Sequence, residues 1–96
     1  MGRAIRWTPR ASKRLNQIHS HIAKDAENQA GLFIKKIIVE VEDIPDFPNS
    51  GRIVPEYQRD DLREKLLGNY RIVYRIQKCE IQVVTVIHGS KLLRNI

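Results

Sequence analysis

A single cysteine, Cys79, in 96 residues excludes an internal disulfide and cannot supply a zinc finger; it fits a reducing, cytoplasmic compartment. No apolar run approaches the roughly 18–20 residues of a membrane span, and the N-terminal MGRAIRWTPR has no apolar signal core, so no membrane partner is expected. Internal repeats, low-complexity tracts and long linkers are also missing, which argues for one domain over residues 1–96. Only six aromatic residues occur, yet an apolar share of 42% suffices for a core and excludes a wholly disordered basic tail. At this length folding buries about 60–65% of the unfolded chain's surface, so the core is small and a partner can add to its stability.

Acidic side chains are scarce at both ends. Seventeen Lys and Arg stand against eleven Asp and Glu, a net charge of +6. Residues 1–24 carry six basic residues and no acid; residues 25–64 carry five basic and ten acidic; residues 65–96 carry six basic residues and only Glu80. Two basic segments thus flank an acidic middle, and both termini are expected to contribute to one basic face suited to a polyanion or an acidic protein.

Periodicity outlines the elements. Ala4–Thr8 reads as a first strand. Thr8-Pro9 pairs a hydroxyl N-cap with proline at the first helical position, and Ala11, Leu15, Ile18 and Ile22 form one apolar stripe over residues 9–23. Asp25 is the expected N-cap of a second helix over residues 26–44, whose stripe is Ala30, Phe33, Ile34, Ile37, Ile38, Val41 and Ile44; Pro45 and Pro48 end it. Residues 45–61 read as a loop with a short extended piece at 52–54. Strands follow at Leu62–Leu67, Tyr70–Ile76 and Ile81–Ile87, joined by Gly68-Asn69 and by residues 77–80. The last is nearly continuous apolar, the pattern of a central strand covered on both faces. The fold class is therefore α+β in the order β-α-α-β-β-β, a helical hairpin on one face of a small, mainly antiparallel sheet. In the second of these strands Tyr70, Ile72, Tyr74 and Ile76 should face the helices, which places Arg71, Val73 and Arg75 on a face expected to be open.

Together these pieces resemble the RelE/ParE superfamily of toxins from type II toxin–antitoxin modules. The likeness rests on the Thr8-Pro9 start of the helical hairpin, Ile44-Pro45, Gly51-Arg52, Val54-Pro55-Glu56, Leu62-Arg63-Glu64, the run Gly68 to Tyr74, and Val86 to Lys91. It implies the small α+β toxin fold and a cognate antitoxin partner. Two activities are implied as alternatives: RelE-like cleavage of mRNA on the ribosome without metal or other cofactor, taken as the leading expectation, and ParE-like inhibition of DNA gyrase without nuclease activity. A basic, non-toxic nucleic-acid adaptor of the same fold is a third.

RNA cleavage through the 2′-hydroxyl needs a proton acceptor, neutralisation of the phosphorane and a proton donor to the 5′-oxygen. By the resemblance, Arg71 would hold the scissile phosphate in its planar fork, with Lys91 as a second basic catalytic residue. Glu56 and His88 are the candidate proton carriers, imidazole being the side chain that exchanges protons near neutral pH. Arg63, Lys65, Arg75 and Arg52 are candidate phosphate or RNA contacts, with the register of residues 63–65 open because a one-residue slip exchanges the basic pair with Glu64. The His88-Gly89-Ser90-Lys91 ending is also similar to that of ParE-like members. His19 and His21, two apart on a helix, do not face one another, so no metal site is expected.

Overall fold

The computed structural model describes residues 3–96; Met1 and Gly2, the start of the basic N-terminal segment, lie outside the described residues. The elements are β1 (Ala4–Trp7), α1 (Pro9–Ala23), α2 (Glu27–Glu42), a 3₁₀ turn at Pro48–Ser50, β2 (Arg52–Ile53), β3 (Leu62–Leu67), β4 (Tyr70–Ile76) and β5 (Glu80–His88). They form one sheet in the order β1-β5-β4-β3-β2. The central β5 pairs parallel with β1 and antiparallel with β4, and β2 to β4 continue antiparallel. The helical hairpin carries the chain from β1 at one edge toward β2 at the other and lies on one sheet face as the periodicity predicts.

The junction of β1 and α1 is fixed by Thr8. Its hydroxyl accepts the Ala11 N–H at 3.1 Å and donates to the Val84 carbonyl at 2.9 Å, with Pro9 opening the helix. Val84 is the bulged residue of β5: Val73 pairs with Thr85 and Tyr74 with Val83, which leaves Val84 without a partner on β4. The threonine therefore caps α1 and satisfies the carbonyl that the bulge frees. Thr8→Val, which keeps the shape, is expected to cost about 1–2 kcal/mol in urea unfolding.

The bulge also reverses the side-chain parity of β5. Ile81 and Val83 face the helices before it and Val86 after it, where they pack with Ile72, Tyr74, Ala11, Ile18, Ile37, Val41 and Ile44. Val84 and Ile87 turn to the other face and join Val54, Leu62, Val73 and Leu93 in a second apolar cluster. So β5 is covered on both sides, and the apolar run is explained.

Three expectations change. The second helix begins at Glu27 after an Ala26 that makes no side-chain cap, so Asp25 is not its N-cap, and it stops at Glu42, two residues short of the expected end, in a turn over residues 43–46 that contains Pro45. Ile38 of its stripe is exposed. The far face of the sheet is not open: the chain from Val54 to Leu62 and the tail after β5 cross it and bury Leu93.

Candidate functional site

β4 places Arg71 on the far face, opposite Ile87 of β5 and Leu66 of β3. The register of β3 decides its neighbours. Glu64 pairs with Val73 and shares the face of Arg71, while Arg63 and Lys65 pair with Tyr74 and Ile72 and point to the helix side. There Lys65 meets Glu40 of α2 at 3.2 Å, and Arg63 donates to the carbonyls of Asp60 and Gly51. β2 then sets Arg52 opposite Glu64.

A four-membered ion network results. Arg71 Nε donates to Glu64 at 2.6 Å, and its two terminal nitrogens donate to the two Glu56 oxygens at 2.7 and 2.8 Å. Nη1 also donates to the Lys91 carbonyl at 3.1 Å. Arg52 meets the second Glu64 oxygen at 2.6 Å. Glu56 in turn accepts the Leu93 N–H at 2.8 Å. Arg71 is 5% exposed and Glu64 1%, while their partners Glu56 and Arg52 reach the surface. The tail is thus laced down by Glu56 and Arg71 from below, and by Arg10 of α1, which donates to the carbonyls of Arg94 and Asn95.

The fork of Arg71 holds the Glu56 carboxyl far below its ordinary range, at about 2, while Glu56 and Glu64 raise the guanidinium further above its usual value. A general base works best with a pKa near the working pH. Glu56 is the reverse, a carboxylate committed to an ion pair. Because its folded value lies below the ordinary 4.5, the pair stabilises the fold fully above pH 4.5 and loses that effect as the pH falls toward 2. Asp61, lowered by its hydrogen bonds from Arg59, acts in the same direction. The unfolding free energy from urea titration should therefore drop across that window, by about 1–3 kcal/mol for Glu56 after solvent screening. Glu56→Gln should start lower at neutral pH and converge on the wild type in acid.

Of the remaining candidates, His88 lines a depression of about 300 Å³ with Arg71 and Arg52. Arg75, opposite Leu62, donates to Gln82 at 2.8 Å, and its buried Nε has no hydrogen-bond partner among the described residues. His88 and Lys91 are exposed at the end of β5. His88 Nδ1 accepts the Ser90 N–H at 3.2 Å and lies 2.7 Å from the Ser90 hydroxyl, and Tyr70 meets its ring edge-on. These contacts leave Nε2 as the ring's outward donor. The fold therefore brings Arg71, Glu56 and Arg52 together around Glu64, and sets His88 and Lys91 apart from Arg63 and Lys65. Sequence reading weighed Glu64 only as a register slip; its place became legible once β2 and β3 were paired. Arg14, Gln17 and His21, which periodicity leaves on the polar faces of α1, line a cavity of about 160 Å³ with Tyr70, His88 and Lys91. Among the described residues no three His, Cys, Asp or Glu side chains lie close enough together to hold a metal ion, and no helix is long and apolar enough to cross a membrane.

Residues 5–93 match the family profile described as the ParE toxin of the type II toxin–antitoxin system parDE. The chain is 34% identical over 89 residues to Y4kP of Sinorhizobium fredii, a protein named as a candidate toxin, covering 91% of this chain and 88% of that one. In fold it is similar to the chromosomal ParDE system from P. aeruginosa, with a TM-score of 0.76 at 20% identity over 90% of this chain and 95% of that one. It is also similar to the RelBE2 toxin–antitoxin complex of Mycobacterium tuberculosis, with a TM-score of 0.66 at 17% identity over 92% of this chain and 99% of that one. A mutant of the E. coli toxin RelE in the free state gives 0.63 at 18% identity over 94% and 86%. With the α+β fold in place and nearly the whole length matched, the chain belongs to the ParE family of toxins from type II toxin–antitoxin systems, within the RelE/ParE superfamily.

Proposed function

We propose that this toxin inhibits DNA gyrase as a binding protein and does not cleave mRNA. One observation carries the reading: the arginine that a RelE-like nuclease would aim at the scissile phosphate is buried under the tail, with its fork closed on Glu56 and Glu64. A phosphate would have to displace two carboxylates and lift the tail to reach it. Glu56, the candidate base, is held near pKa 2, and Arg63 and Lys65 face the helices. His88 and Arg52 line one depression with Arg71, but the guanidinium that would neutralise a phosphorane there is already committed to Glu56 and Glu64. The match to the ParE profile supports the same reading.

The cognate antitoxin would neutralise the toxin by covering its target surface, and the surplus of basic over acidic residues favours an acidic segment. Purified toxin should inhibit gyrase supercoiling or trap cleaved DNA, and adding the antitoxin should relieve it. Unaffected gyrase, together with transcript cleavage at ribosome-bound sites after induction, would return the chain to the RelE-like reading.

A further inference from the structure

α1 presents a second basic feature, separate from the Arg71 network. Arg10, Lys13, Arg14, Gln17, His21 and Lys24 recur at spacings of three and four, one stripe along the helix. Arg10 is tied to the tail, but Lys13, Gln17, His21 and Lys24 are exposed and Arg14 half-buried. Where this stripe meets the end of β5, it opens into the cavity of about 160 Å³ lined by Arg14, Gln17, His21, Tyr70, His88 and Lys91. No acidic side chain lines that cavity among the described residues, and neither Arg14 nor Lys91 makes an ion pair among them. The other buried or half-buried Arg and Lys side chains of the far face and the edge strands are largely matched by carboxylates or carbonyls. Arg14 donates only to the Gln17 Oε1, at 3.4 Å, so two cations outside any ion pair and two imidazoles present mainly donors to an anion. His88 is pre-set for this role, because the Ser90 N–H occupies Nδ1 and leaves Nε2 to donate.

We propose that this cavity binds a backbone phosphate of duplex DNA, with the α1 stripe following the flanking phosphates. The stripe favours nucleic acid over a single carboxylate. It extends beyond the cavity through Lys13 and Lys24, around a second depression of the same helix face that His21 shares, and a line of cations matches a line of phosphates. Such contacts position the protein and carry no base sequence. The site is independent of which enzyme the toxin inhibits.

The test is fluorescence anisotropy of the full-length toxin with a short duplex DNA and, in parallel, a single-stranded RNA of the same length, across a salt series. The wild type should bind the duplex at low salt, with affinity falling linearly on log axes. Arg14→Ala/Lys91→Ala should weaken it by about tenfold or more and reduce the salt slope by about two. Lys78→Ala, exposed in the turn before β5 and at the other end of that strand from His88, should leave both unchanged, and circular dichroism with urea unfolding should report a folded double variant. Absent duplex binding at low salt, or an unchanged slope in the folded double variant, overturns the proposal. Preference for RNA over the duplex overturns it as a DNA site, and so does a double variant that loses only antitoxin affinity. Normal gyrase activity beside slope-dependent DNA binding would leave this site standing and reject the gyrase reading alone.

Discussion

Arg71→Ala is expected to cost about 3–5 kcal/mol of folding stability, because it strands the Glu64 carboxylate in the interior. Glu64 has a side chain with no exposed area, and after the change its one remaining cation is Arg52, itself 57% exposed. Glu56 loses both of its strong donors and keeps only the Leu93 N–H. A domain of this size has a total stability of about 5–15 kcal/mol, so the loss is a large share of it. The melting temperature should fall by roughly 20 °C, or the chain should not fold at all. Two further variants keep the test open in that event. Arg71→Lys retains the charge but offers one ammonium to partners on three sides, so it should fall between the wild type and Arg71→Ala. Arg71→Leu/Glu64→Leu removes the buried pair together and should be less destabilised than Arg71→Ala, since the charges left without their partner, Glu56 and Arg52, both reach the surface. A Tm for Arg71→Ala within a few degrees of the wild type would mean that the guanidinium is not structural, and would reopen a ligand-binding role for it.

That expectation inverts what the resemblance implies for Arg71, and the reason is instructive. The strand alternation correctly put Tyr70, Ile72, Tyr74 and Ile76 toward the helices and Arg71 and Arg75 on the other side. It could not say whether the other side was wet. The sequence did carry a hint: Ile81–Ile87 is apolar without alternation, which requires cover on both faces of β5. An open face would have shown polar residues at every second position. The cover itself comes from Val54 and Leu93, with Tyr57 and Ile96 packed beside them, in segments rich in turns and charge, and no periodicity marks such residues. Their placement follows from tertiary contacts, Glu56 to Leu93 and Arg10 to the tail, that span 37 and 85 residues of sequence. The fold class and the helical hairpin were legible because stripes at period 3.6 and capping residues are local. The bulge at Val84 was not, since it inserts one residue into a run where every residue is apolar. The cavity beside α1 needed the end of β5 to be set against the helix before His21 and His88 could share it.

The other large effect is expected at Gly51, where the packing of β2 meets the core. A Cβ there would stand 2.6 Å from the Tyr74 hydroxyl and 2.7 Å from the Glu64 carbonyl oxygen. The backbone at Gly51 is extended, with φ −80° and ψ 156°, so alanine suffers no backbone strain and the whole penalty comes from the collision. Neither neighbour yields easily. Tyr74 is fully buried, and its hydroxyl accepts the Gly51 N–H at 2.9 Å while donating to the Pro48 carbonyl at 2.7 Å. The Glu64 oxygen belongs to β3, so retreat of β2 would also pull Arg52 from Glu64 and loosen the ion network. Gly51→Ala should therefore cost about 2–4 kcal/mol, from overpacking and a broken buried hydrogen bond. Tyr74→Phe alone should cost about 1–3 kcal/mol, because it leaves the Gly51 N–H and the Pro48 carbonyl unpaired. Removing the hydroxyl also removes the shortest contact to the new methyl, so the double variant should be less destabilised than the sum of the two, by more than about 0.5 kcal/mol. The coupling should stop short of full relief, since the Glu64 oxygen remains in the way. Additive losses in urea unfolding would show that the alanine is accommodated by movement of the 3₁₀ turn at Pro48–Ser50 instead. In that case Arg52 and Glu64 would keep their pairing, and the acid sensitivity carried by Glu56 would be the same in Gly51→Ala as in the wild type.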